Sequence, residues 1–113
     1  MPERPDYRTK RTAEYSARDL LTRYGYTVIR VAQSHSHESA GINLIAWDKD
    51  GDILFIYARS CRRVSFMKDV HALCRLVVLH RYPGALEYWI RCKAGWKRYL
   101  IRPGGAFPLQ VLS

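Results

Sequence analysis

Residues 41–60, GINLIAWDKDGDILFIYARS, carry the pattern that decides the fold. Ile42, Leu44 and Ala46 alternate with other residues as in a strand, and residues 53–58 form an almost continuous apolar second strand. The Asp-Gly pair at residues 50–51 predicts a tight hairpin turn between them, because glycine tolerates the positive φ that such a turn needs. A strand that is apolar at nearly every position is buried on both faces, so we expect this hairpin in the middle of a helix-covered sheet.

The composition indicates one basic globular domain. The chain has 113 residues, 48% of them hydrophobic and 26% charged, with a formal net charge of +9. Such an excess of cations attracts polyanions, of which nucleic acid is the commonest. No apolar run approaches the roughly 20 residues of a membrane span, and the charged N-terminus lacks the apolar segment of a secretory signal. We therefore expect a cytoplasmic protein that makes no membrane contact.

Helical and strand patterns on both sides of the hairpin complete the fold. Apolar residues at helical spacing predict a first helix over residues 9–24, closed by Gly25, and a well-buried second helix that starts after Ser65. In the second helix, Met67, Leu76 and Val78 are expected to widen the buried stripe.

The remaining segments read as strands and termini. Residues 26–32 predict a strand before the hairpin, and residues 85–92 and 96–102 predict a second hairpin. The aromatic residues of this second hairpin are expected to pack on one another rather than to stack on bases. The order αβββαββ predicts an α/β fold with a mixed central sheet flanked by helices. The expected organisation is a flexible basic arm at residues 1–8, a single domain at 9–103 and a C-terminal tail at 104–113.

Possible metal ligands cluster in the polar loop of residues 33–41, QSHSHESAG. His35, His37 and Glu38, with Glu14 from the first helix, are the candidate ligands, although two exposed histidines are the favoured interpretation. No Cys-x-x-Cys pair exists, which argues against a zinc site built on thiolates. The three cysteines, Cys61, Cys74 and Cys92, are expected to be reduced and mostly buried.

Between residues 10 and 80, the element order and several short motifs resemble the PD-(D/E)XK nuclease superfamily, with a restriction-endonuclease-like core. The likeness is strongest to archaeal Holliday junction resolvases. It is carried by Glu14 in the first helix, by residues 25–30, by Ser34 in the loop, by residues 43–46, and by residues 56–60.

The resemblance implies metal-dependent phosphodiester hydrolysis, but the charged positions of the motif depart from the family pattern. Asn43 stands where an aspartate is expected, Tyr57 where an acidic residue is expected, and Arg59 where a lysine is expected. Glu14 alone keeps its charge. Replacing two anions while keeping a cation disfavours Mg²⁺ or Mn²⁺ binding, because carboxylates hold such hard cations. We therefore expect a vestigial site and no cofactor.

Three hypotheses follow for the function. The first is nucleic-acid binding, with DNA as the expected partner, by a nuclease-like domain that has lost hydrolysis. The second is a structural module that forms a homodimer, as the resolvases do. The third is an active nuclease that uses Mg²⁺ or Mn²⁺ with relocated carboxylates, for which Glu38 and Asp69 are candidates. In the first hypothesis the residues expected to contact nucleic acid are Arg8, Lys10, Arg11, Arg30, Ser34, Arg59, Arg62 and Arg63.

Overall fold

The computed structural model describes residues 5–31, 41–63, 65–93 and 95–110. Within these residues, two α-helices and six strands form a layered α/β unit. No helix in this part of the chain combines the length and the apolar character that crossing a membrane requires. The elements are α1 (Pro5–Arg23), β1 (Thr27–Arg30), β2 (Leu44–Trp47), β3 (Ile53–Ser60), a 3₁₀ helix (Cys61–Arg63), α2 (Phe66–His80), β4 (Ala85–Cys92), β5 (Gly95–Arg102) and β6 (Gly105–Leu109).

The strands lie side by side in the order in which they occur in the chain. All neighbouring pairs are antiparallel except β3 and β4, which are parallel and are connected through α2. The predicted α/β fold with a mixed sheet is therefore confirmed. The strand directions bring together the ends of β1, β3 and β4, the starts of β2 and β5, and the start of α2. We call this the upper end of the sheet, and the opposite end, with the β2–β3 turn, the lower end.

The two helices cover opposite faces of the sheet, and each builds its own core. On one face Ala17 and Leu21 of α1 pack with Ile56 and Trp89. On the other face the core contains Val70 and Leu73 of α2 with Tyr57, Leu86 and Tyr88. Residues 54–58 of β3 are all buried, because β3 lies between both layers. The continuous apolar pattern of this strand is explained in this way.

The termini of the domain differ from the prediction. Helix α1 begins at Pro5, four residues before the predicted start, in a position where the fixed φ of proline suits the first helical turn. Part of the predicted N-terminal arm is therefore helical. Residues 105–109, predicted to belong to a tail, form β6 and pair with β5. A strand with Pro108 in it is tolerated there because β6 is at the edge of the sheet.

Two burial predictions were wrong. Met67 and Val78 do not widen the buried stripe of α2, since they are 74% and 58% exposed. They lie on the side of the helix that faces away from the sheet, where the described residues supply no further layer. The cysteines are free thiols, as predicted, but Cys61 is exposed and Cys74 and Cys92 are only half-buried.

Gly84 is required by a close approach of two backbones before β4. A Cβ atom at this position would be 2.0 Å from the carbonyl oxygen of Ile53, so one of the two segments would have to move. We expect Gly84→Ala to lower the free energy of unfolding by about 1–3 kcal/mol, as overpacking does, measured by chemical denaturation. Gly104→Ala is the matched control, because nothing lies within 4 Å of its Cβ position. Equal losses in the two variants would contradict this explanation.

Candidate nucleic-acid interface

A buried ion pair joins the end of β3 to the first turn of α2. Arg59 donates from Nη1 to both carboxylate oxygens of Asp69, at 3.1 and 3.0 Å. The Tyr88 hydroxyl donates a third hydrogen bond to Oδ2 of the same carboxylate. Asp69 is 1% exposed, whereas the Arg59 side chain keeps 20% of its surface in solvent. The charge of Arg59 is therefore largely balanced inside the protein.

Tyr57 lies beside this pair, with its ring centroid 5.6 Å from the Arg59 guanidinium carbon. Burial raises the pKa of Tyr57 to about 12, against the lowering effect of Arg59, and the charges of Asp69 and Glu14 raise it further. The pKa of Tyr88 is also raised, chiefly by burial and then by its hydrogen bond to Asp69. Both phenols are therefore neutral at physiological pH. Tyr57 offers a neutral hydroxyl where the resemblance expects a carboxylate.

The side chain of Asn43 extends the pairing of β2 with β3. Its Nδ2 donates to the Ala58 carbonyl oxygen at 2.9 Å, and its Oδ1 accepts from the Ala58 N–H at 3.0 Å. The amide thus satisfies both backbone groups of one β3 residue, and Asn43 is only 1% exposed. A carboxylate in the same place would lack the donor that the Ala58 carbonyl needs. Asn43 therefore has a structural role that the motif comparison did not indicate.

Glu14 is held on the other face of the sheet. Arg30, at the end of β1, donates from Nε to Oε1 of Glu14 at 3.2 Å and from Nη1 to the Tyr15 hydroxyl at 3.3 Å. Arg18, one helical turn further along α1, would be the ordinary surface partner of Glu14. The pair with Arg30 replaces it because the upper end of β1 lies beside α1.

The four predicted motif residues meet at the upper end but not in one pocket. Tyr57 belongs to the core under α2, and Arg59, two residues along β3, pairs with Asp69 of that helix. Glu14 lies in α1, whose neighbours Ala13 and Ala17 pack on the opposite face. The sheet therefore separates the two ion pairs, and Asn43 is occupied by the backbone between them.

Other predicted site residues lie beyond what can be described. Ser34, His35, His37 and Glu38 are outside the described residues. The side chains of Arg8, Lys10, Arg11 and Arg63 are also outside them, although their backbones belong to α1 and to the 3₁₀ helix. Within the described part of the chain, no three histidine, cysteine or acidic side chains are placed to hold a metal ion.

Exposed cations are concentrated at the upper end of the sheet. Arg62 follows β3, and Lys68 lies in the first turn of α2. The end of β4, the turn after it and the start of β5 add Arg91, Lys93 and Lys97, and all five side chains are exposed. The carboxylates with described side chains at this end are the buried Glu14 and Asp69, each paired with an arginine. We call the five exposed cations, together with Arg30, the basic end: Arg30, Arg62, Lys68, Arg91, Lys93 and Lys97.

The lower end has a different balance of charge. The β2–β3 turn places Asp48, Asp50 and Asp52 there, at the same end as the exposed cations Arg23, Lys49, Arg81 and Arg102. Gly51 takes the positive φ, +83°, that the Asp-Gly turn was expected to need. Among the described side chains, the exposed carboxylates are therefore remote from the basic end, and the positive charge of these side chains is polarised along the strands.

The aromatic residues of the second hairpin pack inside the protein, as predicted. Trp89 and Trp96 meet edge to face with centroids 5.4 Å apart. The Trp89 indole N–H donates to Glu87 at 2.8 Å, and Arg98 donates to the same carboxylate oxygen at 2.8 Å. Trp89 is completely buried, so it is not a platform for stacking on bases.

Sequence reasoning missed part of the basic end. Only the aromatic residues of the second hairpin entered the prediction, so Arg91, Lys93 and Lys97 were not expected as neighbours of Arg62. The signal that could have found them is the long helical connection between two apolar strands, which is typical of a parallel pair. A parallel pair brings the end of β4 to the end of β3 and therefore joins the two groups.

No family model, curated protein or solved structure matches this chain. The likeness to PD-(D/E)XK nucleases therefore stays a prediction from the residues, and what is established is a mixed six-stranded α/β fold, over the described residues, with a polarised distribution of charge.

Proposed function

We propose that this domain binds nucleic acid, with DNA as the expected partner, through the basic end. The observation that carries the proposal is the grouping of six exposed cations where β1, β3 and β4 end, with the exposed Asp50 and Asp52 of the β2–β3 turn at the opposite end. A phosphate backbone is attracted by such a face, because neutralising each phosphate releases a bound counterion. The backbone of α1 also brings Arg8, Lys10 and Arg11 towards this end.

The proposal includes the loss of metal-dependent hydrolysis at the vestigial site. A hard divalent cation needs carboxylate oxygens that converge on one point. Here the oxygens of Asp69 accept from Arg59 and Tyr88, and Oε1 of Glu14 accepts from Arg30. Tyr57 and Asn43 add no negative charge. Each carboxylate is therefore already neutralised by a guanidinium, which leaves little attraction for a metal ion.

Arg59 has a smaller part in this proposal than the sequence indicated. Because its Nη1 is bound to Asp69 and most of its side chain is buried, its charge is largely cancelled for an approaching phosphate. We expect the exposed Arg62, Lys93 and Lys97 to contribute more. Arg59→Ala is therefore not a clean test of DNA binding, since it would also leave the Asp69 carboxylate unpaired.

The decisive experiment compares two triple variants that remove the same charge from opposite ends of the sheet. The first replaces Arg62, Lys93 and Lys97 by alanine, and the control replaces Arg23, Lys49 and Arg102, which are also exposed. Fluorescence anisotropy with duplex and four-way-junction DNA, over a series of salt concentrations, gives the affinity and its salt dependence. We expect the first variant to bind at least about tenfold more weakly, with a slope of log K against log salt reduced by about 2–3.

The control variant should bind within about twofold of the natural protein, because its charges are remote from the proposed face. Equal weakening of both variants would mean that only net charge matters and would overturn the assignment to the basic end. DNA cleavage in the presence of Mg²⁺ or Mn²⁺, lost on Glu14→Ala, would favour the third hypothesis, a nuclease with relocated ligands.

A second candidate function, a homodimeric interaction module, is favoured by one observation. Met67, Val78 and Leu79 of α2 are 74%, 58% and 73% exposed, and Met67 and Val78 lie on the same side of the helix, three turns apart. Large apolar side chains grouped on one face often mark a protein interface. A protein that sediments as a dimer and shows no salt-dependent DNA binding would support this function instead.

A further inference from the structure

Two cysteines lie side by side where the parallel strands β3 and β4 end. The last pair in the register is Ser60 with Arg91, and the next residues in the chain are Cys61, which opens the 3₁₀ helix, and Cys92, which ends β4. Neighbouring strands are about 4.8 Å apart, which lies within the Cα separation of about 4.4–6.8 Å that a disulfide allows. The Cys61 side chain also contributes to the raised pKa of the Cys92 thiol, as expected of neighbouring groups. The two cysteines are therefore neighbours before any reaction.

The two thiols differ in access to solvent. Cys61 is exposed and Cys92 is half-buried. Burial raises the pKa of the Cys92 thiol, the neighbouring Cys61 side chain raises it further, and the charge of Lys97 lowers it. The thiolate of an accessible cysteine reacts first. Cys61 is therefore the nucleophile that attacks the reagent, and Cys92 reacts second.

The surroundings of this pair are cationic. Arg62 follows Cys61 in the chain, and Arg91 and Lys93 flank Cys92, all with exposed side chains. Lys97 is close enough to act on the Cys92 thiol. The nearest described carboxylate at this end, Asp69, is buried against Arg59. A small disulfide that carries negative charge is therefore attracted to the thiols, and a cationic one is repelled.

We propose that Cys61 and Cys92 form a thiol–disulfide exchange site that takes a small anionic disulfide, of which oxidised glutathione is the test compound, and closes into a reversible Cys61–Cys92 bond. The site does not depend on the proposed DNA binding. It uses the same cations, but its reactive groups are the two thiols.

The exchange takes place in two nucleophilic steps. The Cys61 thiolate attacks one sulfur of the disulfide, which forms a mixed disulfide and releases the first glutathione thiolate. The Cys92 thiolate then attacks the Cys61 sulfur, which closes the internal bond and releases the second glutathione thiolate. The two protons of the protein thiols are taken up by the two released glutathione molecules. The protein loses two electrons, and the reagent gains them.

The test on the natural protein is oxidation by oxidised glutathione at low ionic strength, followed by mass spectrometry without reduction. We expect a product that has lost two hydrogen atoms and in which the peptides that contain Cys61 and Cys92 are joined. Reduced glutathione in excess should restore both thiols. A product that keeps glutathione on Cys61, or that links two protein molecules, would overturn the proposal without any variant being needed.

Single serine variants assign the two steps. Cys92→Ser should stop at the mixed disulfide on Cys61, and Cys61→Ser should react much more slowly. Cys74→Ser is the matched control, because Cys74 lies in the middle of α2 and is half-buried, and it should leave the internal bond unchanged. An internal bond that survives in Cys92→Ser would assign the reaction to Cys74 and contradict the site.

The dependence of the reaction rate on the charge of the reagent is an independent test of the proposal. Oxidised glutathione should react roughly tenfold faster than cystamine, a cationic disulfide, because the flanking cations concentrate anions. The ratio should fall towards unity at high salt, where these charges are screened. Equal rates at low salt would show that the cations do not select the reagent and would remove the anionic class from the proposal.

Discussion

Asp69→Ala is expected to lower the free energy of unfolding by about 3–5 kcal/mol, since it leaves a buried charge without its partner. Asp69 is 1% exposed and receives two hydrogen bonds from Arg59 and one from Tyr88. Arg59, whose side chain is four-fifths buried, would keep its charge with no carboxylate beside it. Urea denaturation at neutral pH measures the loss, and unchanged circular dichroism at zero urea shows that the variant folds.

Two comparisons separate the lost ion pair from the lost side chain. Glu14→Ala removes the other carboxylate at the upper end, but its partner Arg30 is 39% exposed and can be hydrated, so the loss should be about 1 kcal/mol or less. The triple variant Arg59→Met, Asp69→Leu and Tyr88→Phe removes the ion pair together with the hydroxyl that donates to it. It should recover most of the stability, because a buried network replaced by apolar groups of similar volume is often neutral. A loss in Asp69→Ala no greater than that in Glu14→Ala would contradict the argument.

This network also shows where prediction from the sequence ends. The burial of β3 on both faces could be predicted because it requires an apolar residue at nearly every position. Such a run of apolar residues is visible in the local sequence. Asp69 was recognised as a carboxylate in the second helix that could have moved into the site. Its pairing with Arg59 could not be read, because it depends on the position of α2 relative to the end of β3.

The wrong prediction of burial on the outer side of α2 has a related cause. Met67 and Val78 are hydrophobic, and this favours their burial. Whether another layer covers that side of the helix cannot be inferred from hydrophobicity. Likewise, the sequence predicts a tail where β6 lies, because a short segment with glycine and proline lacks a strand pattern of its own. It becomes a strand by pairing with β5. The basic end was only half predicted, since it requires β3 and β4 to be parallel.

Asn43→Asp, the change that would restore the residue the resemblance expects, should destabilise the protein by about 2–4 kcal/mol at neutral pH. The Asn43 amide donates to the Ala58 carbonyl at 2.9 Å. An ionised aspartate has only acceptors, so one of its oxygens would face that carbonyl oxygen in a place that is 1% exposed. Urea denaturation of the variant and of the natural protein measures the difference.

The pH dependence of this loss distinguishes charge from lost packing. Burial beside a carbonyl oxygen favours the protonated acid, so the pKa of the introduced carboxyl in the folded state lies above its unfolded value of about 3.9. The folded variant then binds more protons than the unfolded chain, and its stability relative to the natural protein falls as the pH rises above about 4. Asn43→Ala is the control, because it loses both hydrogen bonds at every pH and its loss should be constant.

Adding Mg²⁺ to the Asn43→Asp variant is the last comparison. It distinguishes a structural role of Asn43 from the loss of a metal ligand at position 43. If position 43 retained the geometry of a metal site, Mg²⁺ would bind the new carboxylate and stabilise Asn43→Asp. We expect no such stabilisation and no cleavage of DNA, since the nearby carboxylates are paired with arginines and lie on opposite faces of the sheet. Stabilisation by Mg²⁺ together with cleavage would mean that a single substitution separates this chain from a working nuclease.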